Sequence, residues 1–280
     1  MSKIRNNTTM NIILTLLVSL ACIAQVNAAE YENYFGIEIN NEEYNTLLNL
    51  GFTEDEIYYM NEQTYLENKD LDANLVSETK KYYKTIYNDI LGNPYSVETN
   101  KEEYENQAIL GARGTVNTEY KTMITTISQN GSKYRYKVSL SWKNMPSTRS
   151  FDIIGIGFDD ERISIDSSVY FNYYYCKSSG TCYTESYYYD KKSKSTGGSA
   201  VYDLPDSSVS LSLYYDVAKI TSNTITSLSM CGDYSHAISN VPVGNISNYD
   251  IAYNGIELSG SLINYYDEIP CAPGTWHGSW

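Results

Sequence analysis

The sequence predicts a mainly β fold: an antiparallel β-sandwich, with a jelly-roll among its allowed topologies, preceded by a small acidic helical segment. Three observations carry this. From about residue 116 apolar and polar side chains alternate in short runs divided by turn signals, the signature of strands with one face buried. Residues 29–110 hold eighteen acidic and five basic residues, a net of −13, whereas residues 111–280 hold sixteen and thirteen, a net of −3, so two kinds of polypeptide are joined. Thirty Tyr against five Phe make tyrosine the main bulky aromatic for a core or a surface.

Residues 1–28 read as a signal peptide. Lys3 and Arg5 give a basic start, Ile12 to Ile23 an apolar run, and Val26-Asn27-Ala28 small residues at signal-peptidase spacing, so cleavage is expected after Ala28 or Ala29. The apolar run is shorter than the roughly 20 residues that cross a bilayer, and nothing later is apolar enough to be a second span. The expectation is a secreted, extracellular protein with no integral membrane segment after cleavage. A formal charge of −14 argues against nucleic acid and anionic membranes as partners.

Residues 29–76 form the acidic helical segment. Asn41-Glu42-Glu43-Tyr44 opens a helix that stops at Leu50-Gly51, glycine being the usual residue past a helix end. Thr53-Glu54-Asp55-Glu56 is a capping box, and a third helix should run from Glu62 to Lys69. Leu47, Leu48, Phe52, Ile57, Met60, Tyr65 and Leu66 are spaced to make one small apolar cluster, too small to stand alone, so the segment should dock elsewhere or move.

Residues 77–115 read as a connecting arm. Leu91-Gly92-Asn93-Pro94 turns a hairpin, Asn100-Lys-Glu-Glu103 starts a short helix, and Gly111-Ala-Arg-Gly114 reads as a hinge.

Residues 116–280 form the sandwich. Glu119 to Ser128 leads into Asn130-Gly131, the preferred pair for a two-residue hairpin turn. Tyr134, Tyr136, Val138, Leu140 and Trp142 then alternate with Lys133, Arg135, Lys137, Ser139 and Ser141, which predicts one buried and one wet face. Phe151 to Phe158 follows, its Gly155 and Gly157 marking a bulge or close packing. Val209, Leu211, Leu213, Tyr215 and Val217 repeat the alternation. Further strands are expected at 200–204, 224–231, 236–241, 250–256 and 258–265.

Four cysteines follow the leader, Cys176, Cys182, Cys231 and Cys271, and an oxidising compartment makes disulfides the default. Three pairings are open to four cysteines. The five residues between Cys176 and Cys182 fit a hairpin turn, which favours that bond and leaves Cys231 with Cys271. Counting outward from Cys176–Cys182 then sets Val169, Phe171, Tyr173 and Tyr175 on an inner face opposite Tyr189, Tyr187, Glu185 and Tyr183. Tyr170, Asn172 and Tyr174 fall on the other face, which should be wet, opposite Tyr188, Ser186 and Thr184.

Tyrosine stacks on sugar rings and hydrogen-bonds through its hydroxyl, so Tyr170, Tyr174 and Tyr188, with Trp276 and Trp280 of the terminal Gly-Thr-Trp-His-Gly-Ser-Trp, are the candidate binding residues. They compete with a plainer account in which the tyrosines are ordinary strand residues and the tryptophans close the core. Catalytic motifs are missing: no H-E-x-x-H, G-x-S-x-G or P-loop, and Gly155-Ile-Gly157 lacks the third glycine of a dinucleotide fingerprint. His236 reads as a structural strand residue. Without C-x-x-C, and with His236 and His277 as the only histidines, no metal site or cofactor is expected. Asp159-Asp160-Glu161 and Asp267-Glu268 could serve a glycosidase or calcium, but read first as turns in an acidic protein.

Leu50-Gly-Phe-Thr-Glu-Asp-Glu-Ile57, together with Ser141-Trp-Lys-Asn-Met-Pro-Ser-Thr-Arg149 and Asp152-Ile-Ile-Gly-Ile-Gly157, resembles a group of secreted proteins of Gram-positive bacteria. The resemblance implies secretion and a helical-plus-β layout; it brings no activity, ligand or catalytic residue. The sequence therefore points to a secreted or cell-surface interaction module for an extracellular protein or glycan. The rival is a secreted hydrolase acting on cell-envelope or host polymers through a carboxylate pair.

Overall fold

The computed structural model describes residues 31–87, 94–110, 119–205 and 207–280, with backbone alone for 107–110, 208 and 209. The signal peptide, the 91–93 turn and the 111–114 hinge lie outside the described residues. No helix among the described residues is long and apolar enough to cross a membrane.

A two-strand ribbon, β1 (Tyr31–Glu32) with β2 (Glu38–Ile39), precedes α1 (Asn41–Asn49), α2 (Glu54–Tyr58) and α3 (Glu62–Asn68). Each helix starts where a side chain accepts an otherwise free amide. Asn40 accepts from Glu43 N at 3.0 Å while Glu43 accepts from Asn40 N, and Thr53 and Glu56 form the same reciprocal box. Gly51, at φ +85°, ends α1, and a Cβ there would lie 2.2 Å from Thr126 Oγ1 in the sheet beneath.

Then follow β3 (Ala73–Ile86), β4 (Tyr95–Thr99), α4 (Lys101–Leu110), β5 (Glu119–Asn130), β6 (Lys133–Trp142), β7 (Phe151–Gly157), β8 (Ile163–Ile165), β9 (Tyr170–Cys176) and β10 (Cys182–Glu185). The rest comprises β11 (Asp190–Lys194), β12 (Gly197–Asp203), β13 (Ser208–Lys219), β14 (Ser227–Ala237), β15 (Tyr249–Ala252), β16 (Gly255–Leu258), β17 (Tyr266–Glu268) and β18 (Ala272–His277). One antiparallel sheet runs β10-β9-β13-β6-β5-β3-β4, with β8 extending the β9 edge of β13. The other runs β11-β12-β7-β14-β17, with β18 on the same edge of β14 as β17. The segment read as an arm is thus built into the larger sheet, β3 pairing along β5 from Thr85↔Glu119 to Ala73↔Asn130.

The two sheets pack face to face, as in the predicted sandwich. Tyr136, Val138, Leu140, Leu211, Leu213 and Phe171 of one meet Ile154, Ile156, Tyr202, Met230 and Tyr234 of the other. Each sheet is also covered on its outer face. β15, β16 and the two 3-10 turns lay Ile246, Tyr249, Ile251, Ile256 and Leu262 over Ile153 and Val201. Helices α1 to α3 lay Leu47, Leu50, Phe52, Ile57, Met60 and Tyr65 over Tyr214.

That second cover corrects the expectation of a wet face on β6. Arg135, Lys137 and Ser139 are buried beneath the helices, where Glu56 of the acidic segment matches the charge of Lys137 and Asp216 of β13 that of Arg135. Lys137 Nζ meets both Glu56 oxygens at 2.9 and 2.8 Å, and Arg135 Nε donates to Asp216 at 2.8 Å. The two strands expected at 224–231 and 236–241 are one, β14. Gly232 between them is a contact glycine, since a Cβ would lie 2.3 Å from Thr125 Cγ2.

Candidate functional site

The site is built around the β9–β10 hairpin. Its register is Cys182↔Cys176, Tyr183↔Tyr175, Thr184↔Tyr174 and Glu185↔Tyr173, with Cys176 bonded to Cys182 and Cys231 to Cys271. Past Glu185 the chain leaves the ladder, so the expected pairing of Tyr187, Tyr188 and Tyr189 with β9 does not form.

On the inner face three tyrosines stack in line: Tyr173 on Tyr175 at 5.9 Å and Tyr175 on Tyr183 at 5.3 Å, both within 23° of parallel. Tyr173 and Tyr175 each donate a hydroxyl to one oxygen of Glu185, at 2.7 and 2.9 Å, which fixes the ring planes. Burial first, and then Glu185, push both phenols above their ordinary value, so they remain protonated donors. Lys177 Nζ lies 4.7 Å from the Tyr183 ring centroid. Beside this ladder an open groove of about 470 Å³ is lined by Tyr173, Tyr175, Lys177, Ser178, Ser179 and Pro205. Apolar rings, hydroxyl donors and a cation around a groove of that size can hold a sugar ring or a peptide side chain.

The outer face is not wet. Tyr174 is covered by the helical segment, its ring stacked on Tyr59 at 4.6 Å, and Thr184 donates to the Tyr59 carbonyl. Tyr34 ties the segment to the disulfide loop: its hydroxyl accepts from Cys182 N at 3.0 Å and donates to Gly180 O at 3.4 Å. Around it Phe35 (42% exposed), Tyr58 (40%) and Tyr59 form an aromatic patch beside the hairpin.

The five residues singled out from the sequence occupy different places. Tyr170 stacks on the buried Tyr214 at 5.0 Å, and Tyr174 lies under the helices. Tyr188 is exposed, with Lys191 Nζ 4.7 Å from its ring. Trp276 and Trp280 flank buried Tyr134 at 4.9 and 4.8 Å, at the rim of the main core. Tyr34, Phe35 and Tyr58 were missed. Their signal was present in Tyr31-Glu-Asn-Tyr-Phe-Gly36 and Tyr58-Tyr59, aromatics in an acidic segment that its helical periodicity leaves over.

Other carboxylates take structural parts. Asp160 accepts from Arg162 N, Nε and Nη2 at 2.8 to 2.9 Å and closes a turn, while Asp267 is buried against Ser96. Among the described residues no group of three or more His, Cys, Asp or Glu is placed to hold a metal ion.

No family profile matches the chain, and no curated protein matches it. Among solved structures it is similar to the collagen binding domain of the Erysipelothrix rhusiopathiae surface protein RspB, at 7% identity and TM-score 0.27 over 58% of this chain and 66% of that one, just under two thirds of its length. It is also similar to the KRT10-binding region domain of the pneumococcal serine rich repeat protein PsrP, at 13% identity and TM-score 0.26 over 66% and 99%. Clostridium perfringens delta-toxin gives 9% identity and TM-score 0.25 over 58% and 84%. Likeness at these scores carries no functional argument.

Proposed function

We propose that this protein is an extracellular interaction module that holds a protein or glycan partner against the tyrosine surface of the β9–β10 hairpin. The observation that carries this reading is the convergence of two separate segments on one place. The inner ladder of Tyr173, Tyr175 and Tyr183, with its groove, and the Tyr34–Phe35–Tyr58 patch meet at the disulfide loop, joined through the Tyr34 hydroxyl. Exposed large aromatics gathered on one edge mark a recognition surface more often than scattered ones do. The two disulfides suit an oxidising compartment.

The test uses the secreted protein on a glycan array and against immobilised extracellular-matrix proteins, with heat-denatured protein as control. Saturable binding to one class is expected. The triple variant Phe35→Ala, Tyr58→Ala, Tyr183→Ala removes partly exposed rings and should keep the circular dichroism spectrum while weakening binding at least about tenfold. Equal signal from native and denatured protein on every surface would discard the proposal.

A further inference from the structure

Between the sheets, where β4 and β5 meet β17, lies a buried polar cluster that the tyrosine surface does not use. Lys121 points inward from β5 and is wholly buried. Its Nζ is 3.4 Å from Asp267 Oδ2, 2.8 Å from Ser96 Oγ and 4.5 Å from the Trp142 ring centroid. Asp267 is 3% exposed and accepts from Ser96 N at 2.6 Å and from Ser96 Oγ at 2.5 Å. Glu119, two residues before Lys121 and so on the same strand face, is equally buried. Its Oε1 accepts from the Tyr87 hydroxyl and from Ser147 N, while its Oε2 has no hydrogen-bond partner among the described residues. Asp152 adds a third buried carboxyl, bonded to His236 Nδ1 at 3.0 Å, Ala237 N at 2.8 Å and the Tyr234 hydroxyl.

Three carboxyl groups thus share a dry site with one lysine and one histidine. Isolated charges are expensive in such a place, and a group there sheds its charge rather than keep it unmatched. Desolvation pulls the Lys121 ammonium below its ordinary pKa, towards free amine, against the opposing pull of Asp267 and Glu119.

We propose that Lys121 and Asp267 join in an intramolecular isopeptide bond. Once a proton has passed from Nζ to the carboxylate across their 3.4 Å contact, Lys121 Nζ attacks Asp267 Cγ, whose Oδ1 faces the Ser96 N–H and whose Oδ2 faces the Ser96 hydroxyl. Glu119 accepts a proton from Nζ and returns one to the leaving hydroxyl. One C–N bond forms, one C–O bond breaks and one water leaves, with no change of oxidation state. Holding the partners in place replaces a bimolecular encounter by a far more probable one, and a neutral amide takes the place of buried charge. The Lys137–Glu56 pair differs in kind. Both Glu56 oxygens lie within 2.9 Å of Nζ, Ser139 and Thr53 complete the bonds, and one charge matches one.

Peptide mapping and intact mass of the secreted protein test this. The expected mass is lower than that of the disulfide-bonded chain by one water, and after reduction a digest should still contain the Lys121 and Asp267 peptides as one branched species. Lys121→Met and Asp267→Ala should restore the full mass, and Glu119→Gln should lower the ligated fraction. Undiminished ligation in Glu119→Gln would reject its part as proton carrier. Full mass in the wild-type protein, with Lys121 and Asp267 on separate peptides, overturns the bond whether or not the variants fold.

Discussion

Lys137 and Glu56 meet beneath the helical segment, where neither reaches bulk water, and their replacement should be asymmetric. Glu56→Ala strands an ammonium with the Ser139 hydroxyl and the Phe52 ring beside it but no matching carboxylate bonded to it, and should cost about 3–5 kcal/mol in urea unfolding. Lys137→Met leaves Glu56 still bonded to Thr53 N and to the Ser139 hydroxyl, so the loss should be smaller. Equal losses would show that the carboxylate is not otherwise held. The same pair marks the boundary of what the sequence discloses about single residues. Alternation along Lys133 to Trp142 separates two faces correctly but cannot tell that the polar one will be covered, because a buried lysine and a wet one look alike until their partner is placed. At Gly157 the sequence allows a bulge or close packing, and the structure shows close packing, since a Cβ would lie 1.8 Å from the Ala252 carbonyl oxygen. Gly157→Ala should therefore lower the urea midpoint at constant slope, by at least the 1–3 kcal/mol typical of overpacking.

Helix α2 shows an element whose start is local and whose position is not. Thr53-x-x-Glu56 announces a capping box, and the box is present, but Glu56 also reaches Lys137 on β6. Thr53→Ala should cost the ordinary cap value of about 1 kcal/mol plus whatever is lost as Glu56 loosens, and the thermal midpoint should fall accordingly. No change would mean that tertiary contacts alone hold the helix. Among the strands, the Cys176–Cys182 hairpin was legible because a short disulfide loop fixes register by counting. The count fails where the chain departs, after Glu185, since nothing in Ser186-Tyr-Tyr-Tyr189 says that pairing stops. In β14 the failure is of the opposite kind: Gly232-Asp233 resembles a turn, yet the glycine admits Thr125 and the strand continues.

Among the described residues two large sheets each carry an outer cover, and a pH response belongs to one of those covers. Asp233 on β14 is fully buried, and its carboxyl bonds Ile256 N at 2.8 Å and Tyr234 N at 2.7 Å, tying β16 to the smaller sheet. Burial pushes its pKa up to about 7, against the lowering effect of those two amides. An unfolded Asp titrates near 3.9, so the native state holds a proton that the unfolded state has lost between about pH 4 and 7. The contribution is complete below about pH 4, declines as pH rises through 7 and is flat beyond, by roughly 4 kcal/mol at most. Asp250, held low by Lys194, and Glu103, held low by Lys84, act in the other direction and lose their contribution as pH falls, but both are largely solvated and weigh little. Urea midpoints should therefore fall from about pH 5 to 8. Asp233→Asn should start lower, because an amide oxygen can accept from both N–H groups only at the cost of the NH₂ finding its own partner, but its midpoint should stay level across that range. A wild-type midpoint that rises from pH 5 to 8, or a slope that survives in Asp233→Asn, would assign the pH response to other groups and leave the Asp233 contact as packing alone.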